Sequence, residues 1–326
     1  MEKYQRWIPF TGFIILSVTV TLLLGATVVT GFQNQWIAGI ISLIVLAGAI
    51  ITIVSEGKRI LADKKFTDEL PLINHVYEFL GVFIGGIASC IFCRDLQLGS
   101  VVAASLIGLI AYLIVPKYAV PVYCGAFVGM TSNALLFTHS EVAIASAIAG
   151  IIYVLSSYVF GGFGGKLGTI AFISTIITSL ILGREFIAGT IFDNFGISMI
   201  VLVALIAAPL TYYLNVVRGH GAVLASGFVG LLGGLILPII PEIGGTLAVV
   251  AICASFAGMS SKARSPRIWM MSVAGLFIGV IFVYSAPVFG GVGGKLGTIA
   301  FGSIMAVYGY MSLFPKKTEK EAIQAK

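Results

Sequence analysis

Two lysines in this chain sit in surroundings suited to chemistry. Lys166 closes a run of glycines in segment 159–172, Val-Phe-Gly-Gly-Phe-Gly-Gly-Lys-Leu-Gly-Thr-Ile-Ala-Phe, and Lys295 does the same in 288–301. The two phrases agree at thirteen of fourteen positions, with Val292 in place of Phe163 as the one difference. Five glycines in eight residues resist a continuous helix, because each costs about 1 kcal/mol relative to alanine in a helix interior. Glycine also permits positive φ and close backbone approach, so each phrase predicts a break or a re-entrant turn. A helix restarting near Leu167 or Leu296 points its first unpaired N–H groups and its positive dipole end at that turn. Turn, helix N-terminus and ammonium together make an anion-binding nest. The candidate residues are Gly161, Gly162, Gly164, Gly165, Lys166 and Thr169, and their counterparts Gly290, Gly291, Gly293, Gly294, Lys295 and Thr298.

The spacing is not that of a nucleotide-binding P-loop. That motif needs glycine five residues before its Gly-Lys pair and a hydroxyl residue after it. Here those places hold Phe160 and Leu167, or Phe289 and Leu296. The competing reading is that the glycines allow tight helix crossing and the lysines reach for the membrane interface. Near-identity of two copies whose flanks have drifted apart favours a site.

A second block is also duplicated. Cys124-Gly-Ala-Phe-Val-Gly-Met-Thr-Ser132 echoes Cys253-Ala-Ser-Phe-Ala-Gly-Met-Ser-Ser261 at the same offset of 129. Its small residues suit close helix packing, and Thr131, Ser132, Ser260 and Ser261 offer hydroxyls to a solute or cation. Cys90 and Cys93 form a C-x-x-C without the second pair that zinc requires, so the cysteines read as packing residues. The acidic residues Glu78, Asp95, Glu141, Glu185, Asp193 and Glu242 all fall near the ends of apolar runs, with Glu78 the deepest, one turn after His75. Their scarcity mid-run argues against a relay of buried carboxylates. No nucleophile, metal or paired-carboxylate constellation appears, so the expectation is a non-enzyme with no cofactor and no metal.

The elements that must position these residues are apolar. Of 326 residues, 59% are hydrophobic and 10% charged, and mean hydropathy is +1.08. A soluble domain carries roughly 25% charged residues. Runs near 20 residues recur, the length a helix needs to cross about 30 Å of hydrocarbon. The expected fold class is an all-α polytopic membrane protein with about twelve transmembrane helices, not a β-barrel. Predicted spans are 8–31, 36–55, 74–93, 99–115, 119–138, 142–160, 167–183, 196–216, 221–240, 245–260, 268–288 and 296–314. The net charge of +6 reflects basic residues between spans, which orient helices, and not a nucleic-acid partner. The run from Ile8 is too long for a cleaved signal peptide and reads as a retained helix.

With the N-terminus cytoplasmic, sixteen of the nineteen Lys and Arg residues fall inside, and only Arg94, Arg184 and Lys295 fall outside. This asymmetry predicts a multi-pass protein of the plasma (inner) membrane with both termini cytoplasmic. Segment 99–116 also follows 221–238 at an offset of 122. The expected organisation is a two-helix hairpin with a connecting segment (1–73), a five-helix repeat (74–194), a second repeat inverted by its odd number of spans (195–315), and a polar tail (316–326). That organisation resembles inverted five-helix-repeat transporters of the sodium/proton antiporter and bile-acid type, and also urea channels, and the likeness transfers no residues.

The functional expectation is a secondary-active transporter of a small anionic solute, working by alternating access around the paired turns. A passive channel for a polar or neutral solute and a non-transporting scaffold are the alternatives. The partners expected are the solute and the lipid bilayer. A coupling ion (H+ or Na+) and a homo-oligomer are both compatible with the pattern.

Overall fold

The computed structural model describes residues 7–62, 72–189 and 192–314. These residues form twelve α-helices: α1 (Trp7–Asn34), α2 (Trp36–Ala62), α3 (Leu72–Arg94), α4 (Ser100–Ile114), α5 (Ala119–Gly129), α6 (His139–Leu155), α7 (Lys166–Ile181), α8 (Asn194–Tyr212), α9 (Ala222–Ile236), α10 (Gly244–Gly258), α11 (Trp269–Ser285) and α12 (Lys295–Ser312). Among the described residues there is no β-strand, only one isolated bridge between Ile187 and Gly290. The fold is all-α, and each helix falls on one predicted apolar run. Residues Met1–Arg6, Asp63, Lys64, Lys65, Asp68 and Glu69 of the connecting segment, and the tail 316–326 lie outside the described residues.

Helix boundaries follow local chemistry. Thr138 and Glu141 form a reciprocal capping box at the start of α6, and Asp193 caps α8 by accepting from Gly196 N at 2.8 Å. Glycines with positive φ open α4 and α9 (Gly99, 75°; Gly221, 86°), as they do α7 and α12. Two helices stop short of the predicted runs. In 119–138 the helix ends at Gly129, and in 142–160 it ends at Leu155. Both remainders fold as turns that reach toward the glycine phrases.

Five helical segments are long and apolar enough to cross a membrane: Ile8–Asn34, Trp36–Ala62, Ile73–Arg94, Asn194–Val217 and Ala222–Ile239. Others are shorter. The eleven residues of α5 rise only about 16 Å, roughly half of a hydrocarbon core.

Packing inside residues 74–194 has the same pattern as inside 195–315. Helix α3 lies on α5 and α6 as α8 lies on α10 and α11, and α5 meets α7 as α10 meets α12. Helices α4 and α9 pack on each other, as do α7 and α12. The α1–α2 hairpin covers α11 and α12. Where α2 crosses α12, a Cβ on Gly309 would lie 2.1 Å from Gly48 O, and Thr52 Oγ1 donates to Met305 O at 2.6 Å.

The central crossing is that of α7 and α12. A Cβ on Gly168 would lie 2.5 Å from Gly297 Cα, and one on Gly297 the same distance from Gly168 Cα. One turn away, Gly165 meets Gly297 O and Phe301 N, while Gly294 meets Gly168 O and Phe172 N. Residue numbers rise on one helix as they fall on the other, so the two helices run antiparallel and overlap only through their first turns. From that overlap the helix bodies diverge in opposite directions. A β-carbon cannot fit there without driving the helices apart, and overpacking of this kind destabilises by about 1–3 kcal/mol or more. Gly168→Ala and Gly297→Ala should each lower the thermal unfolding midpoint of the purified protein. Gly25→Ala on α1, where a Cβ meets nothing within 4 Å, should leave it unchanged.

Candidate functional site

Each glycine phrase folds as a tight turn with three left-handed residues at matching positions. In turn one these are Phe160 (52°), Gly162 (80°) and Gly165 (83°), and in turn two Phe289 (52°), Gly291 (80°) and Gly294 (81°). The glycines take these angles without strain, whereas phenylalanine rarely does. Phe160 is held by its ring neighbours Phe13 (5.4 Å) and Phe301 (5.3 Å), and Phe289 by Phe186 (5.0 Å) and Phe172 (5.6 Å). Nothing in the spacing of the repeated phrase marks these two phenylalanines for a left-handed angle.

Helices α7 and α12 begin at Lys166 and Lys295, and neither has a side-chain cap. The lysine side chains turn away from those N-termini toward the C-termini of the preceding helices. Lys166 Nζ donates to Ser156 O at 2.6 Å, directly after α6. Lys295 Nζ donates to Ser285 O at 2.6 Å, Val288 O at 2.5 Å and Ala286 O at 3.4 Å, at the end of α11. Each lysine thus satisfies carbonyls that a helix end leaves unpaired and places positive charge at the negative end of the dipole. With three acceptors, the ammonium of Lys295 has its three N–H groups engaged.

The turns dock crosswise on the second duplicated block. Turn one rests on the end of α10: Gly164 N donates to Ser260 Oγ at 2.9 Å, and Ser261 N to Gly162 O at 2.9 Å. Turn two rests on the end of α5, where Ser132 N donates to Gly291 O at 2.9 Å. A Cβ on Gly164 would strike Phe256 O at 2.1 Å, and one on Gly293 would strike Thr131 Oγ1 at 2.4 Å and Phe127 O at 2.6 Å. The thiols instead bond within each half, with Cys124 Sγ donating to Leu167 O at 3.3 Å and Cys253 Sγ to Leu296 O at 3.2 Å. All four cysteines are free, and Cys90, Cys124 and Cys253 are buried. Between the turns, the rings of Phe127 and Phe256 lie 4.5 Å apart, both about 1% exposed.

The single difference between the phrases has a local cause. Phe163 packs under the Arg264 guanidinium at 4.3 Å and against Tyr308 at 5.1 Å. Arg264 Nε also donates to Gly161 O at 2.9 Å, and its Nη1 pairs with Glu56 of α2 at 2.6 Å. At the offset of 129, Arg264 corresponds to Leu135 and Tyr308 to Ser179. The counterpart positions therefore offer Val292 neither the cation nor the aromatic ring that Phe163 meets.

Two cavities border the turns. One, of about 370 Å3, is lined by Gly161 through Leu167, with Glu78, Tyr153, Ser157 and Met259. The other, of about 340 Å3, is lined by Gly290 through Leu296, with Phe127, Phe256, Met130 and Ser132. Its described lining holds no carboxylate, whereas Glu78 shares the first cavity with Lys166.

Of the predicted site residues, the ten in the glycine–lysine runs and Ser132 reach the cavities. Thr169 and Thr298 are buried and bond back to Gly165 O and Gly294 O. Thr131 and Ser260 are buried and donate to Val128 O and Ala257 O, and Ser261 supplies its main-chain N–H to turn one. The three cations set apart by the charge count gather around turn two. Arg94 donates to Thr131 O at 3.2 Å. Arg184 pairs with Glu141 at 2.5 Å, near Ile187, whose N–H donates to Gly290 O at 3.1 Å.

Equivalent glycines differ in tolerance. A Cβ on Gly161 meets nothing within 4 Å, whereas one on Gly290 would strike Ile187 O at 2.1 Å. Gly161→Ala should fold with wild-type stability, and Gly290→Ala should lose about 1–3 kcal/mol, read by thermal unfolding. Glu56→Gln removes one partner of a buried ion pair and should cost about 3–5 kcal/mol, measured the same way. No protein-family model, curated protein or solved structure matches this chain.

Proposed function

We propose that the chain is a transporter of a small anionic solute, spanning the plasma (inner) membrane with twelve helices built as a hairpin and two inverted five-helix repeats. The observation that carries this reading is the pair of cavities, one lined by each glycine turn, with the buried Phe127–Phe256 ring contact between the turns. Opposed half-sites around a narrow apolar division are what alternating access requires, since one can close as the other opens. The antiparallel overlap of α7 and α12 supports placing both turns near mid-depth, with turn one displaced toward one membrane face and turn two toward the other. Non-helical backbone at such depth is tolerated where it lines a cavity. The positive-inside count puts the Lys166 side toward the cytoplasm. Lys166 and Lys295 favour an anion through their charge.

A passive channel for a small neutral solute is the second reading. It is favoured by the ammonium of Lys295, whose donors are engaged by three carbonyls and not offered to the cavity.

Uptake and counterflow in proteoliposomes separate the two. A transporter accelerates uptake of labelled anion when the vesicles are preloaded with unlabelled solute, and a channel does not. Lys166→Gln and Lys295→Gln should each lower anion uptake by roughly tenfold or more, the effect of removing about 1.4 kcal/mol. Unchanged uptake in both variants sinks the anion reading. Topology has its own test in a background lacking the native cysteines. Gly161→Cys should react with a membrane-impermeant thiol reagent from the cytoplasmic side, and Ser132→Cys from the outer side. Labelling of both from one side refutes the inverted arrangement.

A further inference from the structure

Arg94 ends α3 and is 8% exposed. Its Nη2 donates to Thr131 O at 3.2 Å, just past the C-terminus of α5. Its Nε and Nη1 have no hydrogen-bond partner in the protein. Among the described residues no carboxylate lies within ion-pair distance of it. Its neighbour Asp95 pairs with His139 at 3.1 Å, and Glu141 pairs with Arg184 at 2.5 Å. A guanidinium keeps its charge at any physiological pH. A buried charge with three N–H groups lacking an acceptor is an arrangement that folded proteins avoid unless water or an ion meets it.

The other half of the chain shows that this charge is not needed for packing. After α8, Asn215 Nδ2 donates to Gly258 O at 3.0 Å and Ser260 O at 3.3 Å. Ser260 is the counterpart of Thr131. A neutral amide thus ties off the end of α10, as Arg94 ties off the end of α5. What the arginine adds is a positive charge and unused donors. Thr131 lies between Met130 and Ser132, both of which line the cavity of turn two.

We infer that Arg94 is an anion-binding residue, whose Nε and Nη1 take a small dissolved halide, carboxylate or phosphate beside the turn-two cavity. This also supplies the direct contact that the engaged donors of Lys295 do not. The binding stands on the geometry of Arg94 alone, and only the identification of the bound anion with a carried solute rests on the transport reading.

The test is an equilibrium titration of the purified full-length protein with sodium chloride, sodium phosphate and sodium acetate, followed by thermal unfolding. At least one salt should raise the unfolding midpoint of the wild type saturably, and Arg94→Gln should lose that saturable rise. Arg94→Lys keeps the charge but not the donor geometry, and should need a several-fold higher concentration for half-saturation. The inference is overturned if no salt acts saturably on the wild type, or if Arg94→Gln responds as the wild type does. Should Arg94→Gln fail to fold, an unchanged half-saturation in Arg94→Lys overturns it equally. No flux is needed. Arg94-dependent binding in a protein that moves no anion would support the site while ending the transport reading.

Discussion

The centre of this bundle depends on main chain touching main chain. At the Gly168–Gly297 crossing no side chain separates α7 from α12, and the same closeness lets each turn settle on the end of a helix from the other half. In a medium with little water, a turn is stable only if its polar groups find partners within the protein. Glycine brings those partners close enough. The N–H of Gly164 reaches a hydroxyl, and the carbonyls of Gly162 and Gly291 each reach a main-chain N–H.

The lysines answer the complementary problem. A helix that stops inside an apolar bundle leaves carbonyls unpaired at its C-terminus. Lys166 and Lys295 return to the helix ten residues behind them and tie off Ser156 O and Ser285 O. This gives near-identity of the two phrases a structural source. Glycine angles, helix restart and lysine latch are mutually dependent, so none of them drifts alone. The one position that did change, Phe163 against Val292, is where the surroundings differ, with Arg264 and Tyr308 on one side and aliphatic or small residues on the other.

Much of this was legible beforehand, because long apolar runs and repeated words are local signals. All twelve runs carry helices, and both glycine phrases break them where expected. What stayed hidden depends on contacts between distant segments. The left-handed angles of Phe160 and Phe289 are imposed by rings such as Phe301 and Phe172. The lysines point backward to helix ends, which spacing alone does not reveal. Thr131 and Ser260 offer hydroxyls by sequence, but both donate to the local backbone, and Ser260 Oγ also accepts from Gly164 N of turn one. The crossing-over of turn one to α10 and turn two to α5 has no signature in either copy taken by itself.

That crossing-over also sets an order of assembly. Gly164 and Ser260 are 96 residues apart, and Gly161 and Arg264 are 103 apart. At about 5–20 residues per second, the ribosome needs roughly 5–20 s to supply turn one with its resting place. Over that interval the first half carries a glycine turn whose polar groups await partners not yet made. Turn two has no such wait, since Ser132 and Ile187 already exist when Gly290 and Gly291 emerge. The second half therefore acts as a template-directed closure, completing its own turn and the older one in the same late step. A chain stopped before α10 would be left with an open seam at its middle.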